Sequence, residues 1–130
     1  MNNGIIQLKS IHSFETTYLK LKDALENNPL IKIVAELDHS QNANNVDLSL
    51  DKTKIIQFGN PRLGTPLMQA NINAAIDLPQ KFIVFEQEGN VIIAYNDPTY
   101  LKERHQIEGK DELLTKISNA LKTFAEIATQ

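Results

Sequence analysis

Phe82-Ile83-Val84-Phe85-Glu86-Gln87-Glu88-Gly89-Asn90-Val91-Ile92-Ile93-Ala94-Tyr95 is the stretch that decides the fold. Two runs of β-branched and aromatic residues, Phe82 to Phe85 and Val91 to Tyr95, flank Glu88-Gly89-Asn90, and a turn signal between two such runs reads as a β-hairpin. Outward from it, Thr53 to Phe58 is a third apolar strand and Gly4 to Ser10 alternates weakly as a fourth. Leu30 to Asp38 has a period of two, with Ile31, Ile33, Ala35 and Leu37 on one face and Lys32, Val34, Glu36 and Asp38 on the other. That makes five strands.

Two amphipathic helices lie near the ends of the sequence. Ser13 caps the first, Glu15 sits in its first turn, and Phe14, Tyr18, Leu21 and Leu25 form one face before Asn27-Asn28-Pro29 ends it. The last runs from about Lys110 with Leu113, Leu114, Ile117, Leu121 and Phe124 along one stripe. The pattern predicts an α+β two-layer sandwich: a curved, mainly antiparallel five-strand sheet with two long helices on one face. Between the strands, Ser40 to Asn45 is a polar excursion that Leu48 and Leu50 are expected to tie to the core. The second sheet face draws on Val34, Ile55, Ile92 and Ala94 and is too apolar for free water, so either the excursion from Asn60 to Pro79 or a second copy of the chain covers it. A homodimer is predicted on that ground.

The 130 residues make a single domain, 1–130, long enough to bury its own core. There is no cysteine, which removes disulfides, thiolate metal sites and thiol nucleophiles together. A net charge of −3 with scattered Lys and Arg argues against sequence-independent nucleic-acid binding. No apolar run approaches a membrane span and no leader pattern opens the chain, so it reads as soluble and cytoplasmic, with no membrane partner.

Chemistry is sought first in Phe58-Gly59-Asn60-Pro61-Arg62-Leu63-Gly64-Thr65-Pro66-Leu67-Met68. Thr65 as cap and Pro66 at the first helical position predict a helix through about Ala70, with a short turn around Asn73 to Ile76. A strand, a glycine loop and a helix start make a place for an anion, formed here by Arg62, the Asn60 side chain, Gly64, Thr65 and the amides near Leu67 and Met68. It is no nucleotide-triphosphatase loop. The lysine is missing, and Pro61 and Pro66 delete two N–H groups. The plain alternative is a tight turn with Arg62 in water.

His39 and Asn60 each follow a strand end and His105 lies on the helical turn after the hairpin; were the three to converge at one rim of the sheet, an imidazole would serve there as general base or metal ligand, but the favoured reading of each histidine is a side chain bonded to a backbone carbonyl at an element end. His12, just before the first helix, is given no role. No HExxH pattern supports a metal, no Gly-x-Ser-x-Gly elbow supports a serine nucleophile, and no cofactor is expected.

Leu37-Asp38-His39 with Ala43, Phe58-Gly59-Asn60-Pro61, Gly64-Thr65-Pro66-Leu67-Met68, Ala75-Ile76-Asp77-Leu78-Pro79, Tyr95-Asn96-Asp97-Pro98 and Arg104-His105 together resemble the domain-of-unknown-function 302 family. The resemblance runs in order from the first helix to His105. It implies a small α+β domain similar to the TATA-binding-protein-like folds, and no activity. Its polar pattern falls on His39, Asn60, Arg104 and His105. Asp47 stands where the family is expected to have glycine, Phe85 where a tryptophan is common and Lys52 where a proline precedes Thr53.

The reading that follows is a ligand-binding domain taking a small polar or anionic molecule at His39, Asn60, Arg62, Gly64, Thr65, Arg104 and His105. Its competitors are an enzyme using His39 or His105 as base, and an interaction module acting through the apolar sheet face.

Overall fold

The computed structural model describes residues 3–130. Strands β1 (Ile5–Lys9), β2 (Lys32–Asp38), β3 (Thr53–Gly59), β4 (Gln80–Gln87) and β5 (Asn90–Asn96) form one sheet in the order β1-β5-β4-β3-β2, every neighbour antiparallel. The hairpin turn is Glu88–Gly89, with φ of 52° and 80°. Two successive positive φ values match the twist of the flanking strands.

Helices α1 (Phe14–Glu26) and α5 (Asp111–Thr129) cover one face of the sheet, as expected. Three shorter helices accompany them: α2 (His39–Asn45), α3 (Pro61–Ala70) and α4 (Pro98–His105), with a 3-10 turn at Ile72–Ile76. Ser13 caps α1 through its side chain, which accepts from the Thr16 amide. The covered layer is aromatic at its centre. Phe82 stacks on Phe58 at 5.2 Å and meets Tyr95 edge-on at 5.2 Å, while Phe124 of α5 stands edge-on to Phe58 at 6.3 Å. Each such pair adds about 0.5–1.5 kcal/mol beyond the apolar area it buries.

The regular alternation expected for Leu30 to Asp38 is broken. A bulge between Ile33 and Ala35 leaves Ile33 facing the core but turns Glu36 inward and Leu37 out, where it is 46% exposed. Tyr18 Oη of α1 donates to Glu36 Oε1 at 2.6 Å, and Lys22 Nζ lies 3.1 Å from Glu36 Oε2. The Tyr18 hydrogen bond first, then the Lys22 ammonium, hold the Glu36 carboxyl below the usual carboxylate range. Burial, followed by this carboxylate, pushes the Tyr18 phenol well up.

Leu48 and Leu50 do not tie the polar excursion down: they are 65% and 50% exposed. The segment is held by polar bonds instead. The Asp38 side chain caps α2 by accepting from the Gln41 amide, and the Thr53 amide donates to Ser40 Oγ. Asp47, at the position where the family is expected to have glycine, has φ of 62°, the left-handed conformation that glycine adopts without strain.

No helix among the described residues covers the second sheet face. Every inward residue of the central strands from Ile56 to Phe58 and from Phe82 to Val84 is buried, whereas the outward Ile55, Ile83, Phe85 and Ile92 are only half-buried. The Asn60–Pro79 excursion packs on the helical side instead, with Leu67 and Ala74 joining the main core.

Because the folded-state pKa of Glu36 is depressed, its stabilisation is present above the ordinary carboxylate range and lost as pH falls through the folded value. Tyr18→Phe is expected to cost about 1 kcal/mol at pH 7, discounted for the partial exposure of Glu36. Urea unfolding at pH 7 and pH 3 checks this, the difference from wild type shrinking in acid.

Candidate functional site: a cavity at the strand ends

In this sheet the C-terminal end of β3, the N-terminal end of β4 and the C-terminal end of β5 share one rim, because Phe58 pairs with Gln80 and Ile83 with Ala94. The helix following β3 starts earlier than Thr65. Asn60 is the cap: its Oδ1 accepts from the Arg62 amide at 3.1 Å, and its carbonyl accepts from the Leu63 and Gly64 amides at 2.9 and 3.0 Å. Pro61, at the first helical position, has no N–H to offer. The helix start therefore satisfies its own donors and leaves none for an anion. Gly64, Thr65 and Pro66 lie inside α3, and the Leu67 and Met68 amides belong to the helix interior. The expected cradle of backbone amides does not exist.

What α3 makes instead is a cavity of about 590 Å³ between itself, the start of β2, the ends of β3 and β4, and α5. Its walls are mainly apolar, with Phe58, Leu67, Ile117 and Leu121 at the core side. Its charged lining residues are Lys32, Arg62 and Lys116, one from each of three elements. All three are exposed, none has an ion-pair partner among the described residues, and no carboxylate lines the cavity. Asn60, Gly64 and Thr65 contribute to the wall. Gln80, whose β4 register turns it to the same side as Phe58, also lines it. Its Nε2 is enclosed and has no hydrogen-bond partner among the described residues.

Arg104 and His105 are brought together elsewhere on the helical side, around Asp77. His105, 5% exposed, donates from Nε2 to Asp77 Oδ2 at 2.6 Å, and the Arg104 guanidinium donates to both Asp77 oxygens at 3.1 Å. Asn71 Nδ2 donates to the His105 carbonyl at 2.7 Å. These bonds clasp the end of α4 to the segment after α3. Neither Arg104 nor His105 lines the cavity.

His39 is not at this rim at all. Asp38 pairs with Lys54, six residues before Asn60, so His39 and Asn60 are separated by the length of the strand, roughly 20 Å at ~3.4 Å per residue. The C-terminal ends of antiparallel neighbours point to opposite rims, and that rules out a convergence of His39 with Asn60.

Lys32, Lys116 and Gln80 line the cavity and Asp77 anchors the clasp, although none of the four was singled out from the sequence. Gln80 had a signal: the alternation Gln80, Phe82, Val84 carried back along β4 places it inward. The two lysines had none, since only the tertiary fold sets α5 beside the start of β2.

The sequence profile described as Domain of unknown function DUF302 matches residues 6–124. The chain belongs to the DUF302 family. A crystal structure of an uncharacterized conserved DUF302 protein from Bacillus stearothermophilus superposes with a TM-score of 0.86, covering 98% of this chain and 99% of that one at 16% identity. This DUF302 chain is also 32% identical over 108 residues to proteins named fluoride-specific ion channel FluC 1 in Brucella suis biovar 1 and Brucella abortus biovar 1. The match covers 82% of this chain but 42% and 40% of those proteins, so the chain spans about two-fifths of their length. No helix among the described residues is long and apolar enough to cross a membrane.

If Asp77 is the clasp, Asp77→Ala strands the buried His105 and lowers unfolding free energy by about 2 kcal/mol. Arg62→Ala, at an exposed side chain without a partner, stays within about 0.5 kcal/mol of wild type. Urea denaturation of the two variants checks the contrast.

Proposed function

We propose that this DUF302 domain binds a small organic anion in the cavity beside α3. The observation that carries the reading is that Lys32, Arg62 and Lys116 line one cavity with, among the described residues, no carboxylate in its walls and no ion-pair partner of their own. A cavity whose charged lining is wholly cationic among the described residues favours an anion over a cation. Arg62 adds a planar fork of donors suited to a carboxylate or phosphate. The volume lies in the range of small-molecule sites. The general-base alternative gains no support, because neither His39 nor His105 lines this cavity.

The relatives named as fluoride channels carry this sequence over only part of their length. Fluoride conduction is not proposed for this chain: none of its described helices suits a membrane span, and the cavity is far larger than a monatomic ion. Anion recognition by an accessory domain fits both facts.

A second reading, compatible with the first, is a homodimer through the uncovered sheet face. Ile55, Ile83, Phe85 and Ile92 form its apolar centre. Five strands at ~4.8 Å and about seven residues at ~3.4 Å give roughly 24 Å by 24 Å. Two such faces bury on the order of 1,150 Å², within reach of a specific interface. A second copy is the occupant whose size and apolar pattern match by construction.

Two measurements test these readings. Arg62→Ala is expected to weaken binding of the apolar sulfonate 1-anilinonaphthalene-8-sulfonate about tenfold, roughly 1.4 kcal/mol, without lowering the melting temperature. Unchanged affinity would remove the cavity reading. Ile92→Lys is expected to convert a dimer to a folded monomer in sedimentation at micromolar concentration, and a monomeric wild type would remove the dimer.

A further inference from the structure

We infer that the mouth of the cavity seats on an anionic lipid bilayer, with lipid phosphates among Lys32, Arg62 and Lys116 while Leu30 and Val34 enter the boundary with the acyl chains. This rests on the cavity's cations taking an anion, and it names the source of that anion.

The accessible apolar surface and the charges lie at the same depth. Leu30 and Val34 line the cavity and are 61% and 56% exposed, and Lys32 stands between them in the chain. Arg62 and Lys116 line the same cavity and are exposed as well. Deeper in, Leu67 and Leu121 are buried, so the cavity offers its apolar contacts at the opening. A soluble anion small enough to sit among the three cations leaves Leu30 and Val34 in water. A bilayer surface covers both kinds of group at once, since apolar side chains sunk about 5–10 Å into the headgroup and acyl boundary lie beside its phosphates.

Exposed aliphatic side chains are ordinary one at a time, and their charged neighbours decide what can cover them. Leu48 and Leu50 are 65% and 50% exposed, but Asp47 and Asp51 flank them, and an anionic surface repels that segment. At the cavity the neighbours are cations. Glu112 stands one turn before Lys116 on α5 without lining the cavity. At physiological salt, exposed charges more than about 8 Å away are largely screened, so the local cluster outweighs the net charge of −3. Seating of this kind needs no membrane-spanning helix.

The test is co-sedimentation of the full chain with sucrose-loaded vesicles of phosphatidylcholine alone, or with about a third phosphatidylglycerol. Binding to the anionic vesicles is expected to exceed binding to the neutral ones at least tenfold and to fall in high salt. Lys32→Gln with Arg62→Gln is expected to lower it at least tenfold, at roughly fivefold per charge. Leu30→Ser with Val34→Ser is expected to lower it several-fold. All four positions are exposed, so melting temperatures should stay near wild type. Binding of 1-anilinonaphthalene-8-sulfonate and of poly-glutamate is measured beside each variant. If the serine variant binds anionic vesicles as wild type does, or if neutral vesicles bind equally well, the bilayer seat is overturned. If the sulfonate binds and no vesicle does, this inference falls while the cavity remains an anion site. Poly-glutamate binding without vesicle binding overturns it in favour of an acidic polypeptide. If nothing binds, the reading beneath it falls too.

Discussion

The cavity depends on how Asn60 starts a helix. With its carboxamide oxygen on the Arg62 amide and its carbonyl on the Leu63 and Gly64 amides, Asn60 turns the chain directly from β3 into α3. Pro61 fits the first helical position because its ring presets φ and its missing N–H is not needed there. One residue thereby does two things. It uses up the donors that would make a helix N-terminus attractive to phosphate, and it swings α3 across the ends of β3 and β4 so that Leu67 enters the core. The charged groups of the cavity are therefore side chains from three different elements, Lys32, Arg62 and Lys116.

The sheet imposes the second constraint. With every neighbour antiparallel, alternate strand ends share a rim, and only groups attached to those ends can cooperate. That places Asn60, Gln80 and the α4 clasp on one side of the molecule and His39 on the other. The same sheet buries one face under an aromatic cluster and leaves the other half-buried, so the domain has two separate surfaces with distinct physical demands: a charged cavity and an apolar plane.

The hairpin, the α1 cap at Ser13 and the helical layer of α1 and α5 were legible in the sequence because each is set by local periodicity or a local cap. The start of α3 was not. Asn60-Pro61 and Thr65-Pro66 carry equally good cap signals, and tertiary packing of Leu67 selects the earlier one. The bulge in β2 was hidden for a similar reason: a period of two written in Ile31, Ile33, Ala35 and Leu37 holds only while the register does, and the Tyr18 to Glu36 bond lies on the far side of the slip. Of the site residues, Asn60, Arg62, Gly64 and Thr65 do line the cavity, Arg104 and His105 form a clasp with Asp77 instead, and His39 belongs to the opposite rim. Lys32 and Lys116 are distant in sequence and ordinary in type, which is why only the folded chain brings them to notice.

Amide chemical-shift mapping of the labelled protein titrated with decane-1-sulfonate, a permanently charged single-tailed anion, reads out where an organic anion binds. Occupancy of the cavity perturbs the amides from Asn60 to Met68, at Gln80 and along α5 near Lys116 to Leu121. Shifts confined to the outward face of β3, β4 and β5, or spread evenly over the surface, would contradict it.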